Sequence, residues 1–185
     1  MARLRIIAGE FGGRFISADV GRSTHPMGDR VRSGMFASLA SRDVLSGARV
    51  LDAFAGTGAV GLEALSRGAA SAVFIESDKV AARVIQQNID TLGVSDRAKV
   101  INTTVANWLK TRDLTDEFDL IFADPPYNRP QFSTVFGLVE ALKSKGLMIL
   151  SMSSKRCESE PNKGVVVVDD FRSYGEATLA FYSKP

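Results

Sequence analysis

Apolar and polar positions fall into blocks along the chain, and block length separates strands from helices. Five short, nearly continuous apolar runs stand out: ARVLDAF (48–54), SAVFIE (71–76), AKVIN (98–102), FDLIFA (118–123) and LMILSM (147–152). Each has strand length. Between them lie stretches with helical spacing. GAVGLEALSRG (58–68) closes at Gly68, and DKVAARVIQQNIDTLG (78–93) starts near Asp78 and closes at Gly93. VANWLK (105–110) reads as a short helix, and PQFSTVFGLVEALKSKG (130–146) as a helix and its exit. Strands apolar on both faces, alternating with helices, predict a parallel sheet covered on both sides. The C-terminal end breaks the alternation. GVVVVDDF (164–171) and EATLAFYS (176–183) are joined only by a short turn, RSYG. So short a connection demands an antiparallel pair. The predicted fold is a doubly wound, seven-stranded, Rossmann-like α/β sheet, mostly parallel, with a C-terminal antiparallel hairpin.

The first quarter reads differently. RLRII (3–7) and RFIS (14–17) flank a glycine-rich turn and predict a hairpin, followed by loop over 18–28. From Asp29 the run DRVRSGMFASLASR predicts a helix with Val31, Met35, Phe36 and Leu39 on one face and Arg30 and Arg32 off it. No repeat or linker divides the rest. The expected organisation is an N-terminal hairpin and loop extension over 1–28 and one domain over 29–185.

Composition adds limits. The chain has 185 residues, enough to bury a full core as one domain. Its single cysteine, Cys157, leaves no disulfide within the chain and points to a reducing compartment. The stretch MARLRIIAGEFGGRF lacks the apolar core of a signal peptide, and no run has the length to span a bilayer. The expectation is a cytoplasmic, monomeric protein with no membrane partner. The net charge of +2 conceals a gradient: residues 1–50 hold eight arginines against four acids. Arginine pairs with phosphate bidentately and stacks on bases, so a basic arm on a neutral body points to a polyanionic partner.

The segment LDAFAGTGAVG (51–61) carries G-x-G-x-x-G at Gly56, Gly58 and Gly61, between a strand and a helix. Such glycines permit a tight turn and close approach of backbone to a ligand. Glu76 ends the next strand, where a carboxylate can accept hydrogen bonds from a ribose. Two cofactors suit this geometry. A dinucleotide such as NAD carries a pyrophosphate, which Asp52 beside the loop would repel. S-adenosylmethionine carries a sulfonium and an amino group, which Asp52 would receive, so it is favoured.

Then comes IFADPPYNRP (121–130). The prolines end the strand and push Asp124 into an extended conformation. Neighbouring strands one and four of a doubly wound sheet meet at the switch point where ligands bind. Asp124 should therefore face the same crevice as the glycine loop. An exocyclic amine of a nucleobase is a poor nucleophile because its lone pair is delocalised. A carboxylate and a backbone carbonyl that accept its hydrogens favour a tetrahedral nitrogen and stabilise the developing positive charge. Prolines supply carbonyls and no N–H. Tyr127 can stack on the base, which must be flipped out or single-stranded to enter.

These motifs, with RIIAGEFGGRF, PMGDRVRSGMF, VFIESD and YGEATLAFY, give a sequence that resembles the RsmD family of small-subunit ribosomal RNA guanine-N2 methyltransferases over nearly its whole length. The resemblance implies a class I methyltransferase domain with an N-terminal hairpin. It implies S-adenosylmethionine as donor, S-adenosylhomocysteine as product and no metal. It also implies a guanine amine of 16S ribosomal RNA as target, in naked RNA or the assembling 30S particle. By similarity Asp124, Pro125, Pro126 and Tyr127 form the catalytic motif. Asp52, Phe54, Ala55, Gly56, Thr57, Gly58, Glu76 and Ser77 contact the donor. Arg5, Arg14, Arg30 and Arg32 are the expected RNA contacts. The chain departs from the family at Met27 and Gly28 before DRVR, at Ser33 after it, and in INTTVAN (101–107), where related enzymes place an acid for the adenine. Asn102 and Thr103 are the neutral candidates there. Trp108 is expected to pack its helix on the sheet, and His25 and Cys157 to have no catalytic part. The rival readings are a DNA adenine-N6 methyltransferase, an NAD-dependent oxidoreductase and a non-catalytic RNA-binding relative.

Overall fold

A computed structural model describes residues 2–18, 27–115, 117–127, 131–154 and 166–185. His25 and Cys157 lie outside the described residues. A two-stranded antiparallel hairpin, β1 (Arg3–Arg5) and β2 (Phe15–Ser17), precedes helix α1 (Asp29–Ser41). The alternating part follows as β3 (Arg49–Ala53), α2 (Ala59–Ser66), β4 (Ser71–Glu76), α3 (Lys79–Leu92), β5 (Ala98–Asn102), α4 (Val105–Thr111), β6 (Phe118–Ala123), α5 (Phe132–Gly137) and β7 (Leu142–Ser153). It closes with β8 (Val167–Tyr174) and β9 (Ala177–Ser183). The seven-stranded sheet has the order β5-β4-β3-β6-β7-β9-β8. Strands β3 to β7 pair in parallel, and β9 is antiparallel to both β7 and β8. The doubly wound sheet with its antiparallel terminal hairpin is as expected.

Alternation along the strands splits the core into two layers. Val50, Phe74, Leu120 and Phe122 pack beneath α1, α2 and α3, with Phe36, Leu62, Leu65 and Ile85. Their neighbours Leu51, Ile75, Ile121 and Ala123 face Trp108, Val135 and Leu138 on the other side. Trp108 is buried and lies 6.2 Å, ring centre to ring centre, from Phe118, so it does pack α4 on the sheet. The third glycine of the motif is set by packing: a Cβ on Gly61 would come within 2.3 Å of the Phe74 ring.

Two expectations change. The first is Arg32. It is fully buried, with Nη2 donating to the Arg5 carbonyl at 2.7 Å and to Asp29 Oδ1 at 3.0 Å. Residues 32, 35, 36 and 39 stand at i, i+3, i+4 and i+7, so Arg32 belongs to the buried stripe of α1, not beside it. It ties α1 to β1. The second is the predicted helix over 130–146. After α5 the chain makes a 3-10 turn (Leu138–Ala141), and β7 starts at Leu142. The register jumps from Phe118↔Leu142 to Leu120↔Leu147. Lys143 pairs with Asp119 at 2.9 Å, and Lys184 Nζ donates to the Leu142 and Val139 carbonyls. These tertiary partners satisfy the helix exit earlier than the local pattern indicates.

The hairpin is docked, and Ile6, Phe11 and Ile16 belong to the larger core cluster. Glu63 of α2 is fully buried. Its carboxylate accepts from the Ile7 N–H at 2.7 Å, the Ala8 N–H at 3.1 Å and Arg67 Nε at 2.7 Å. Removing it strands a guanidinium and two amides. Glu63→Ala is expected to cost about 3–5 kcal/mol in urea unfolding, the range for breaking a buried ion pair. An unchanged midpoint would show that the hairpin does not depend on this carboxylate.

Candidate active site

A cavity of about 910 Å³ opens at the C-terminal ends of β3, β4 and β6. One wall is the glycine loop. Phe54 turns the chain there with φ 64°, a left-handed conformation that costs a non-glycine residue energy. Phe54 and Gly56 line the cavity. Ala55, Thr57 and Gly58 stand behind and hold the loop's shape. Ala55 N–H donates to the Ile75 carbonyl at 3.0 Å, and Gly58 N–H to the Ala55 carbonyl at 2.7 Å. The buried Asn88 amide donates to the Thr57 carbonyl at 3.1 Å and to the Ser17 carbonyl at 2.9 Å, tying the loop to β2.

Glu76, at the end of β4, is fixed by backbone. Oε2 accepts from Gly56 N–H and Oε1 from Asp78 N–H, each at 2.8 Å. Oε1 also accepts from the Ser77 hydroxyl at 3.5 Å, and Glu76 and Ser77 both line the cavity. Asp78 lines it too and caps α3, accepting from the Val80 and Ala81 amides. After β5, Thr103, Thr104 and Val105 line the cavity. Asn102 does not; its amide donates to the Glu76 and Ser77 carbonyls and braces that strand end.

Asp52 is not at the surface of the cavity. It is buried, and Oδ2 accepts from Gly61 N–H at 2.8 Å. On β3 its neighbours Leu51 and Ala53 face the α4 side, so alternation turns Asp52 toward α2. Burial pushes its pKa up to about 8; the Gly61 N–H works against this, and the charges of Asp124 and Glu76 add to it. The sign follows directly. Between about pH 4 and 8 the folded protein holds a proton here that the unfolded chain releases, so stability falls as pH rises through this window. Asp52→Asn is expected to flatten that decline. Its advantage over wild type should grow by something on the order of a few kcal/mol from pH 5 to 8.5. Thermal unfolding across pH measures this, and parallel curves would mean that Asp52 does not titrate there.

The opposite wall is DPPY. Ala123 ends β6, paired to Ala53 of β3 on one side and to Leu150 of β7 on the other. Asp124, Pro125, Pro126 and Tyr127 all line the cavity. Pro125 is buried, and Tyr127 is 40 % exposed. Desolvation raises the Asp124 pKa, with the Ser151 hydroxyl opposing it. Burial likewise raises Tyr127, whose hydroxyl lies 2.7 Å from Ser151 Oγ. The sequence reading missed Ser151, although counting on from Ala123↔Leu150 puts it opposite Asp124. It also missed the roof. Met27, Gly28 and Val31 at the start of α1 and Glu176 and Ala177 at the β8–β9 turn close the cavity. Gly34 brings these two parts together, since a Cβ there would lie 2.3 Å from the Tyr174 hydroxyl.

The lining has one electrostatic character. Glu76, Asp78, Asp124 and Glu176 contribute carboxylates, and among the described residues no lysine, arginine or histidine lines the cavity. Among the described residues no group of acids, histidines or cysteines is arranged to hold a metal ion.

The expected RNA-contact arginines are dispersed. Arg5 and Arg30 are exposed, and Arg30 adjoins the cavity-lining Val31. Arg14 donates to the Thr91 and Leu92 carbonyls at the C-terminal end of α3. Fourteen helical residues span about 20 Å, so Arg14 lies far from the cavity end of that helix. Arg32 is buried, as described above.

The model of the family described as conserved hypothetical protein 95 matches residues 4–183. Ribosomal RNA small subunit methyltransferase D of Haemophilus influenzae is 38 % identical over 68 % of this chain and 64 % of its own. The Escherichia coli K12 protein of the same name is 36 % identical over 75 % of this chain and 67 % of its own. The solved structure of yhhF from Escherichia coli superposes with a TM-score of 0.85 at 30 % identity, covering 99 % of this chain and 98 % of that one. A match from residue 4 to residue 183, with a seven-stranded sheet that carries the glycine loop and DPPY into one cavity, leaves no ambiguity of lineage: the chain belongs to the conserved hypothetical protein 95 family, the RsmD-type methyltransferases.

Proposed function

We propose that this protein transfers a methyl group from S-adenosylmethionine to the exocyclic N2 amine of a guanine in small-subunit (16S) ribosomal RNA. The observation that carries the reading is one acid-lined cavity walled by the glycine loop on one side and DPPY on the other. Four carboxylates suit a donor with a sulfonium and an amino group and oppose a pyrophosphate, which argues against NAD. Glu76, fixed by backbone at the cavity wall, accepts from ribose hydroxyls. When bound, the donor supplies an electrophilic methyl carbon. Asp124 and the Pro125 carbonyl accept the hydrogens of the target amine and hold it in line with that carbon. The side chain of Tyr127, partly exposed, stacks on the base. Asp124 then takes up the proton that methylation makes acidic. The names of the relatives support a ribosomal RNA substrate. The target within naked RNA or the assembling 30S particle, action as a monomer and a cytoplasmic setting belong to the same proposal. No helix among the described residues is long and apolar enough to cross a membrane.

The decisive experiment is tritiated methyl transfer to small subunits from a strain lacking the enzyme, with the labelled nucleoside identified by mass spectrometry. Label in N2-methylguanosine supports the proposal. Label in N6-methyladenosine, or transfer to duplex DNA alone, would replace it with the adenine reading. Of the exposed arginines of the expected RNA set, Arg14 is engaged at the end of α3, which leaves Arg5 and Arg30. Replacing both with alanine is expected to lower RNA affinity and to reduce the slope of log K against log salt by about 1–2. An unaltered slope would remove them from the interface.

A further inference from the structure

We propose that Ser151 is a positioning residue for methyl transfer, its single hydroxyl holding both the Asp124 carboxylate and the Tyr127 phenol at the floor of the cavity. This rests on the methyl-transfer reading above. Ser151 lies on β7 and is 2 % exposed. The parallel register Ala123↔Leu150 places its Cα opposite that of Asp124 across the β6–β7 pair. Its Oγ is 2.7 Å from the Tyr127 hydroxyl, it lines the cavity beside Asp124, and its hydroxyl works to lower the Asp124 pKa.

The directions of these bonds follow from donor counting. An ionised carboxylate only accepts, and a serine hydroxyl has one proton to give. With Asp124 ionised, the Ser151 proton goes to Asp124 and Tyr127 donates to Ser151. The chain of bonds has two effects. It leaves the remaining lone pairs of Asp124 for the amine hydrogens. It also fixes the far edge of the Tyr127 ring, so that a base meets a ring already in place. Without the hydroxyl, a side chain that is 40 % exposed has no described tether. The titratable groups facing Asp124 are Asp52 of β3, Glu76 of β4, Tyr127 of its own loop and Glu176 of the β8–β9 turn, all acidic. Burial disfavours its ionised form, and the Ser151 hydroxyl opposes that effect.

The test compares Ser151→Ala with Ser151→Thr, which keeps the hydroxyl. Kinetics with donor and small-subunit RNA are read beside a carboxyl carbon NMR titration of Asp124, assigned through Asp124→Asn. Ser151→Ala is expected to lower kcat by about 10- to 100-fold, as loss of alignment does. Its KM for the donor and its S-adenosylhomocysteine affinity should stay within twofold. The acid limb of its pH profile and the Asp124 titration should both move to higher pH. Ser151→Thr should restore all of these. Wild-type kcat and titration in Ser151→Ala, or equal loss in both variants, would overturn the proposal. Should wild type methylate no RNA while the Asp124 titration still moves in Ser151→Ala, the hydrogen-bond geometry stands and the function reading fails.

Discussion

Asp124→Ala loses methyl transfer and keeps its grip on the donor: that is the largest single-residue effect expected of this protein. The exocyclic amine gains nucleophilicity only as its hydrogens are drawn out of the base plane, and in the proposed mechanism Asp124 is the acceptor that draws them. Loss of one preorganised group aimed at transition-state charge costs roughly 10²–10³ in kcat, about 2.7–4 kcal/mol. Asp124 is reached across the cavity from Glu76 and the glycine loop, so S-adenosylhomocysteine affinity should change by no more than a few-fold. Asp124→Asn sharpens the test. It preserves shape and one acceptor oxygen but removes the charge that balances the methylated amine, and its kcat should fall nearly as far. Full activity in Asp124→Ala would defeat the mechanism.

Glu76→Ala is expected to do the reverse, losing donor affinity first. A hydrogen bond to a charged group is worth about 1.5–3 kcal/mol, and the proposed ribose role gives Glu76 such bonds to the donor. The same carboxylate holds the Gly56 and Asp78 amides, so its loss also loosens the glycine loop and the start of α3. Calorimetry with S-adenosylhomocysteine should show a Kd weakened about 10²- to 10³-fold, consistent with about 3–4 kcal/mol. Glu76→Gln keeps an acceptor for one backbone N–H but turns an NH2 group toward the other, so its donor affinity should fall as well. A calorimetric affinity equal to wild type in Glu76→Ala would remove the ribose role.

These opposite phenotypes also separate the rival readings. An oxidoreductase would need the glycine loop but has no use for an extended acid before two prolines. A binding protein without catalysis would tolerate Asp124→Ala entirely.

Much of this arrangement was legible before any coordinates. Apolar runs between helical stretches determined the doubly wound sheet, because period and run length are local properties that burial on two faces imposes directly. The short RSYG turn determined an antiparallel pair, because the reach of the backbone permits nothing else. Glycine, acid and diproline positions determined which strand ends meet a ligand, because each residue type restricts its own backbone.

Tertiary structure decided the rest. Arg32 carries a charge, and a charge reads as surface, yet it sits in the buried stripe of α1 because the Arg5 carbonyl and Asp29 receive it there. Asp52 is buried and braces the start of α2 because strand alternation aims it at Gly61. Ser151 and the cavity roof came from β7, α1 and the β8–β9 turn, which adjoin the site only through sheet order and through the contact of Gly34 with Tyr174. Local sequence determines what each element is. Which buried charges find partners, and which distant elements share a cavity, depends on contacts between residues dozens of positions apart, and no local pattern encodes those.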